Sequence, residues 1–192
     1  MLMQYSVKSN EIDGIDATES SAGFVDASAC ATLSDWDRMG LEENSGGSAP
    51  ACVRLNLDGL KCFEVVESQF KQWGVLFQNA IALQPSNPAF PACIGTTVLM
   101  GAPKNGFIEA TFLQPVRFVS AAVTSSRQTV LSAYDCDGNL LSESKLSQAN
   151  LAGSESSVPP NFQLSLRAPK IHRVKFSAMN GQLTLDDFSF SR

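Results

Sequence analysis

The stretch Gln128-Thr129-Val130-Leu131-Ser132-Ala133-Tyr134-Asp135-Cys136-Asp137-Gly138-Asn139-Leu140, running on to Leu146, decides the fold class. An apolar run enters an Asp-Gly step and a second apolar run leaves it. Glycine tolerates the positive φ that a tight reversal needs, so the two runs are expected to be antiparallel neighbours in a hairpin.

The same grammar extends in both directions. Upstream, Ile108, Ala110 and Phe112 alternate with Phe107, Glu109 and Thr111, and Val116, Phe118, Ser120 and Ala122 are read as one face of the next run. Val53, Leu55 and Leu57 alternate with Arg54, Asn56 and Asp58, which is the period of a half-buried strand. Downstream, Phe162-Leu164-Leu166, Val174-Phe176-Ala178 and Leu183-Leu185 repeat the pattern after the breakers Pro159-Pro160 and Asn180-Gly181. Helical spacing is confined to Val66–Trp73, room for one or two turns. About nine short strands separated by Gly, Pro and Asn predict an all-β protein, an antiparallel two-sheet β-sandwich.

Composition bounds what such a chain can do. With 192 residues, 44% hydrophobic and 17% charged, it is large enough for one sandwich and too apolar for a disordered acidic protein. A net charge of −5 argues against coating phosphates, so no nucleic acid partner is expected. No apolar run approaches the roughly 20 residues of a membrane helix, so no membrane insertion is expected. Residues 1–50 are rich in Ser, Ala, Asp and Gly and end in Ser45-Gly46-Gly47-Ser48-Ala49-Pro50. They are read as a mostly irregular, partly ordered N-terminal extension, with Ala29–Met39 and Trp36 its apolar part, and residues 51–192 as the sandwich domain. Met1–Asn10 shows no secretory signal, so a cytoplasmic location is favoured, with an extracellular one as the alternative. The five cysteines form no CxxC pair and are read as reduced, partly buried thiols; an oxidised Cys30–Cys52 pair is the lesser reading.

Catalytic patterns are sparse, and the chain is read as a non-enzyme. His172 is the single histidine and by alternation shares a face with Val174 and Phe176, so a structural role is preferred to a general base. A hydrolase built on His172 is kept as a remote alternative. Glu64, Glu67 and Glu109 are the carboxylates from which a glycosidase pair would have to be drawn. Asp135-x-Asp137-Gly138-Asn139 lacks the distal glutamate of an EF-hand loop and is read as a turn.

Leu185-Asp186-Asp187-Phe188-Ser189-Phe190 carries more information. Strict alternation puts Asp186 on the face of Phe188 and Phe190, and a carboxylate directed into an apolar layer is costly unless paired. Two readings stay open: Asp186 accepts backbone N–H groups or meets Arg173 or Lys175 at the sheet end, or it binds a structural calcium ion with Asp58 as second donor.

These elements together resemble a group of bacterial β-sandwich modules found in cyanobacteria and in exported proteins with PEP-CTERM sorting signals. The resemblance rests on Leu57-Asp58-Gly59-Leu60, Val65-Val66, Gln69-Phe70 and Gly74-Val75-Leu76-Phe77 in that order. It continues through Phe112 with Pro115-Val116, Leu131-x-Ala133-Tyr134-Asp135, Arg173-Val174-x-Phe176 and Leu185-Asp186-Asp187-Phe188. It covers about residues 53 to 190. Gly59 stands where the group's opening motif has a second acidic residue, and no PEP-type tail follows Phe190-Ser191-Arg192.

That group is similar in turn to galactose-binding-like jelly rolls, which include many carbohydrate-binding modules. The resemblance implies a non-catalytic binding module whose partner is a carbohydrate or a protein surface. It also implies a structural calcium held by Asp58 and Asp186, with Asp187 a possible third ligand. Rings for sugar stacking are few: Trp73 is read as core, Tyr134 as half-buried, and Trp36 lies in the extension. The alternative is a structural or assembly protein that docks on a protein partner through residues 1–50.

Overall fold

A computed structural model describes Ala31–Thr32, residues 52–101 and residues 106–192 of the chain. The remainder of the expected extension, Trp36 included, lies outside the described residues. Among the described residues eleven strands follow one another: β1 (Ala31–Thr32), β2 (Val53–Arg54), β3 (Val65–Val66), β4 (Val75–Gln78), β5 (Ala80–Leu83), β6 (Val98–Gly101), β7 (Phe107–Ser125), β8 (Thr129–Tyr134), β9 (Leu140–Leu146), β10 (Phe162–Ser177) and β11 (Leu183–Ser191). The helical spacing of Val66–Trp73 resolves into a single 3-10 turn, Lys71–Trp73, closed by Gly74 in the left-handed region.

The hairpin forms as expected. Strands β8 and β9 pair antiparallel from Thr129–Leu146 to Tyr134–Leu140. Asp135 closes the turn by accepting the N–H groups of Asp137 and Asn139, while Gly138 takes a φ of 83°.

Two long strands make the sandwich. Strand β7 runs for 19 residues and β10 for 16, and they pair antiparallel along their length. The register breaks between Arg167 and Ile171, opposite Val116–Phe118. On one side of this break, β7 pairs with β11, which carries β6, β5 and β3 beyond it and β2 with β1 beside them. On the other side, β4 pairs with the first half of β7, and β8 and β9 extend from the second half of β10. A single hydrogen-bonded network therefore supplies both layers, antiparallel except for the short β1–β2 pair.

The break also corrects the reading of β7. Val116 joins the core, but beyond the break Val119, Ala121 and Val123 fill it, and Phe118, Ser120 and Ala122 face the other way. Alternation carried straight through Pro115 therefore misassigns that face.

The layers meet through aromatic rings. Phe188 of β11 lies 5.2 Å from Phe77 of β4 and 6.3 Å from Phe176 of β10, and Phe190 lies 5.1 Å from Phe112 of β7. Edge-on and tilted contacts of this kind add about 0.5–1.5 kcal/mol each to the area they bury. Trp73 packs partly buried against this core and Tyr134 is half-buried under the Arg173 guanidinium, both as expected.

The cysteine reading needs one correction. Cys52 is disulfide-bonded, whereas Cys62, Cys93 and Cys136 are exposed free thiols. Spacing between cysteines carries no information about which pair the strands bring together.

Phe188→Ala should cost about 3–5 kcal/mol of unfolding free energy in chemical denaturation, the range for emptying a buried phenylalanine site. A loss below about 1 kcal/mol would mean that the layers do not close on this ring.

Candidate functional site

Strand β11 carries the first cluster of interest. Leu183 and Leu185 enter the core, so Thr184 and Asp186 face the opposite side. At this point the register with β7 slips between Asp186 and Ser189, and Asp187 takes a φ of 49°. The bulge resets the alternation, and Phe188 and Phe190 return to the core. The expected common face of Asp186, Phe188 and Phe190 is therefore not formed; one extra residue separates them.

Asp186 is 3% exposed, covered by the segment that connects β5 to β6. Its Oδ2 accepts the N–H groups of Cys93 (2.7 Å) and Ile94 (3.0 Å), and its Oδ1 accepts the N–H of Asp187 (2.6 Å). Asp58 meets the same segment from the other side, its Oδ1 accepting the N–H groups of Thr96 (2.9 Å) and Thr97 (3.1 Å). Between them Gly95 sits at a φ of 62°, so close that a Cβ there would overlap the Asp58 carboxylate. Glycine is required at this position for both reasons. Asp187 pairs with the Arg54 guanidinium.

Asp58, Asp186 and Asp187, the three residues singled out as calcium ligands, thus line one depression of about 210 Å³ together with Arg54 and Asn56. Of the two readings of Asp186, its contacts realise the backbone N–H version. The electrostatics follow from the same contacts. Chiefly the Thr96 N–H, with the Thr97 N–H adding to it, holds the Asp58 carboxyl below its ordinary range against an opposing push from burial. Burial first, and the Asp186 and Asp187 charges second, push the Cys93 thiol up.

A second depression, of about 270 Å³, opens where the same β5–β6 segment leaves β5. Leu83, Phe90 and Met100 supply apolar lining, and Gln84, Asn87 and Gln182 line it as well, Gln84 Nε2 donating to Thr96 Oγ1 (3.4 Å) and Asn87 Oδ1 accepting the Ala89 N–H (3.0 Å). Phe63 stands at this groove 80% exposed. Its backbone has a φ of 66°, a conformation that costs a bulky L-residue about 1–2 kcal/mol. Hydrogen bonds pin it there: the Phe63 N–H donates to the Ala82 carbonyl (2.7 Å) and the Ala82 N–H to the Glu64 carbonyl (2.9 Å). Gln182 is fixed through its backbone, its N–H donating to Ser126 Oγ and its carbonyl accepting from the Ser126 N–H. Every lining residue of this groove is uncharged.

Sequence reading missed Phe63. Its one signal is an aromatic ring in the connection between β2 and β3, in Lys61-Cys62-Phe63-Glu64.

The other candidates are engaged elsewhere. His172 is half-buried and lines neither depression, and the register slips between Ile171 and Arg173, so it does not share the fully buried positions of Val174 and Phe176. Glu64 accepts from the Gln69 amide and the Lys61 N–H, and Glu109 lies 3.6 Å from Arg173. Arg167, Arg173 and Lys175 cover the rings of Phe118, Tyr134 and Phe107.

A scan of family models finds no match to the chain, and a search of curated proteins finds none. Among solved structures it is similar to a DUF4465 family protein from Bacteroides caccae, with 12% identity over 62% of this chain and 74% of that one and a TM-score of 0.37. It is also similar to CsCBM6-3 from Clostridium stercorarium, solved in complex with cellobiose: 16% identity, 58% of this chain, 86% of that one, TM-score 0.35. A family 6 carbohydrate-binding module matches at 17% identity over 68% of this chain and 88% of that one, with a TM-score of 0.36. Likenesses this shallow assign neither a ligand nor an activity.

Because the folded Asp58 pKa lies below the ordinary carboxylate value of 3.8, the stability it contributes is complete above that value. It is lost as pH falls through the lower folded-state value. Thermal melts between pH 6 and about pH 2 should therefore fall less steeply for Asp58→Asn than for the unaltered chain; parallel curves would contradict the contact.

Proposed function

We propose that the protein is a non-catalytic module that binds a neutral saccharide in the Phe63 groove. The observation that carries this reading is an aromatic ring held exposed, in a strained backbone conformation, at the edge of an uncharged cleft with three carboxamides. Strain at an exposed ring is spent for display rather than for packing. A pyranose offers an apolar face that stacks on such a ring, and hydroxyls that carboxamides recognise as both donors and acceptors. The absence of charge on the lining favours neutral sugars over uronic or sulfated ones.

Size supports the same class. About 270 Å³ lies just under the roughly 300–1,000 Å³ typical of small-molecule sites, room for a ligand of one or two rings. The Cys52 disulfide supports the extracellular alternative over the cytoplasmic one, because such bonds persist in oxidising surroundings. The docking reading of residues 1–50 falls on a stretch that, Ala31–Thr32 apart, lies outside the described residues.

The test is Phe63→Gly, assayed by affinity electrophoresis against neutral glucan, xylan and mannan, with polygalacturonate as the charged comparison. Glycine relieves the positive φ, so stability should hold or rise by up to about 1 kcal/mol while retardation by the neutral polymer disappears. Undiminished retardation, or retardation by the charged polymer alone, would defeat the proposal.

A further inference from the structure

The resemblance that raises calcium for Asp58, Asp186 and Asp187 can be set against what those carboxylates hold. Calcium takes six to eight oxygen ligands whose lone pairs converge on one point. Here the lone pairs have other company. Five backbone N–H groups, those of Cys93, Ile94, Thr96, Thr97 and Asp187, donate into Asp58 Oδ1 and both oxygens of Asp186. The fixed cation at the depression is the guanidinium of Arg54, paired with Asp187. Donor hydrogens and a fixed positive charge oppose a divalent ion at the same oxygens. The donor set does not fit calcium.

We infer that Asp58, Asp186 and Asp187 form a metal-independent clasp, in which the Cys93–Thr97 backbone and Arg54 do the work of a cation. Gly95, with its left-handed φ, stands between the pair of N–H groups that meets Asp186 and the pair that meets Asp58. The Ile94 and Cys93 donors serve Asp186 and the Thr96 and Thr97 donors serve Asp58, so one five-residue segment hydrogen-bonds two carboxylates from different parts of the chain. Arg54 neutralises the third from β2, the strand that pairs with β11 at Ser189 and Phe190. Five N–H donors and one guanidinium thereby engage all three carboxylates from within the chain. The inference concerns how the β5–β6 segment is fixed, and it stands whether or not the groove takes a sugar.

Thermal melts of the full chain in excess EDTA and in excess calcium test it, with terbium luminescence as a direct probe of ion binding. The two melts should superimpose, terbium should give no saturable signal, and Asp186→Asn should lower the melt by the same several degrees in both buffers. An ion present at a hundred times its dissociation constant would instead raise the melting temperature by several degrees. A fall in EDTA that calcium restores, or saturation by terbium at one ion per chain, would overturn the inference. If Asp186→Asn does not fold, the two melts and the terbium titration of the unaltered chain decide the matter without it.

Discussion

The extra residue in β11 between Asp186 and Phe188 is the constraint on which the rest depends. A regular strand in phase with Phe188 and Phe190 would place the Asp186 carboxylate among the rings of the interlayer core, where an unpaired charge costs several kcal/mol, and one in phase with Leu183 and Leu185 would turn both phenylalanines out of it. Asp187, in its left-handed conformation, breaks the period at that point. Phe188 and Phe190 are thereby free to join the layers, and Asp186 is turned to the side where backbone donors meet it. The bulge separates two chemistries that strict alternation would force onto one face.

From this separation the other features follow in order. Asp186 and Asp58 hold the end of the segment that joins β5 to β6, and the beginning of that segment supplies Gln84 and Asn87 to the groove. Further bonds hold its middle: Asn161 Nδ2 donates to the Pro91 carbonyl, and the Ala152 N–H to the Ala89 carbonyl. A connection of this length usually costs order. Fixed at several points, it becomes a wall of the groove, opposite the strained Phe63. Pre-organisation of this kind lowers the ordering cost of binding.

Much of this was legible in the amino-acid pattern, and the failures share a cause. The hairpin around Gly138, the all-β class and the core positions of Ile108, Ala110, Phe112, Val174 and Phe176 follow from period-two alternation and one turn signal. Alternation fails wherever a strand breaks its own register: at Pro115–Phe118 in β7, at Ala168–Ile171 in β10, and at Asp186–Asp187 in β11. Each break shifts which residues face the core, as with Phe118, Ser120, Ala122, His172 and Asp186. Asp58 and Asp186 were recognisable as partners of something because a carboxylate near an apolar strand needs compensation. What compensates them is backbone, which has no residue-type signature. Phe63 escaped notice because its role depends on a φ angle and on a carbonyl of β5, neither of which is written in Lys61-Cys62-Phe63-Glu64.

Native-state amide hydrogen exchange at Cys93, Ile94, Thr96 and Thr97 tests the centre of this account most directly. Cys93, Ile94 and Thr96 are exposed in an irregular connection, Ile94 at 45%, and their amides would ordinarily exchange in the earliest time points. Bonded to Asp186 and Asp58 as described, they should exchange as slowly as the amides of β11 itself. Exchange at the rate of an open loop would mean that the bulge does not deliver Asp186 to that segment, and the chain of consequences drawn from it would fail.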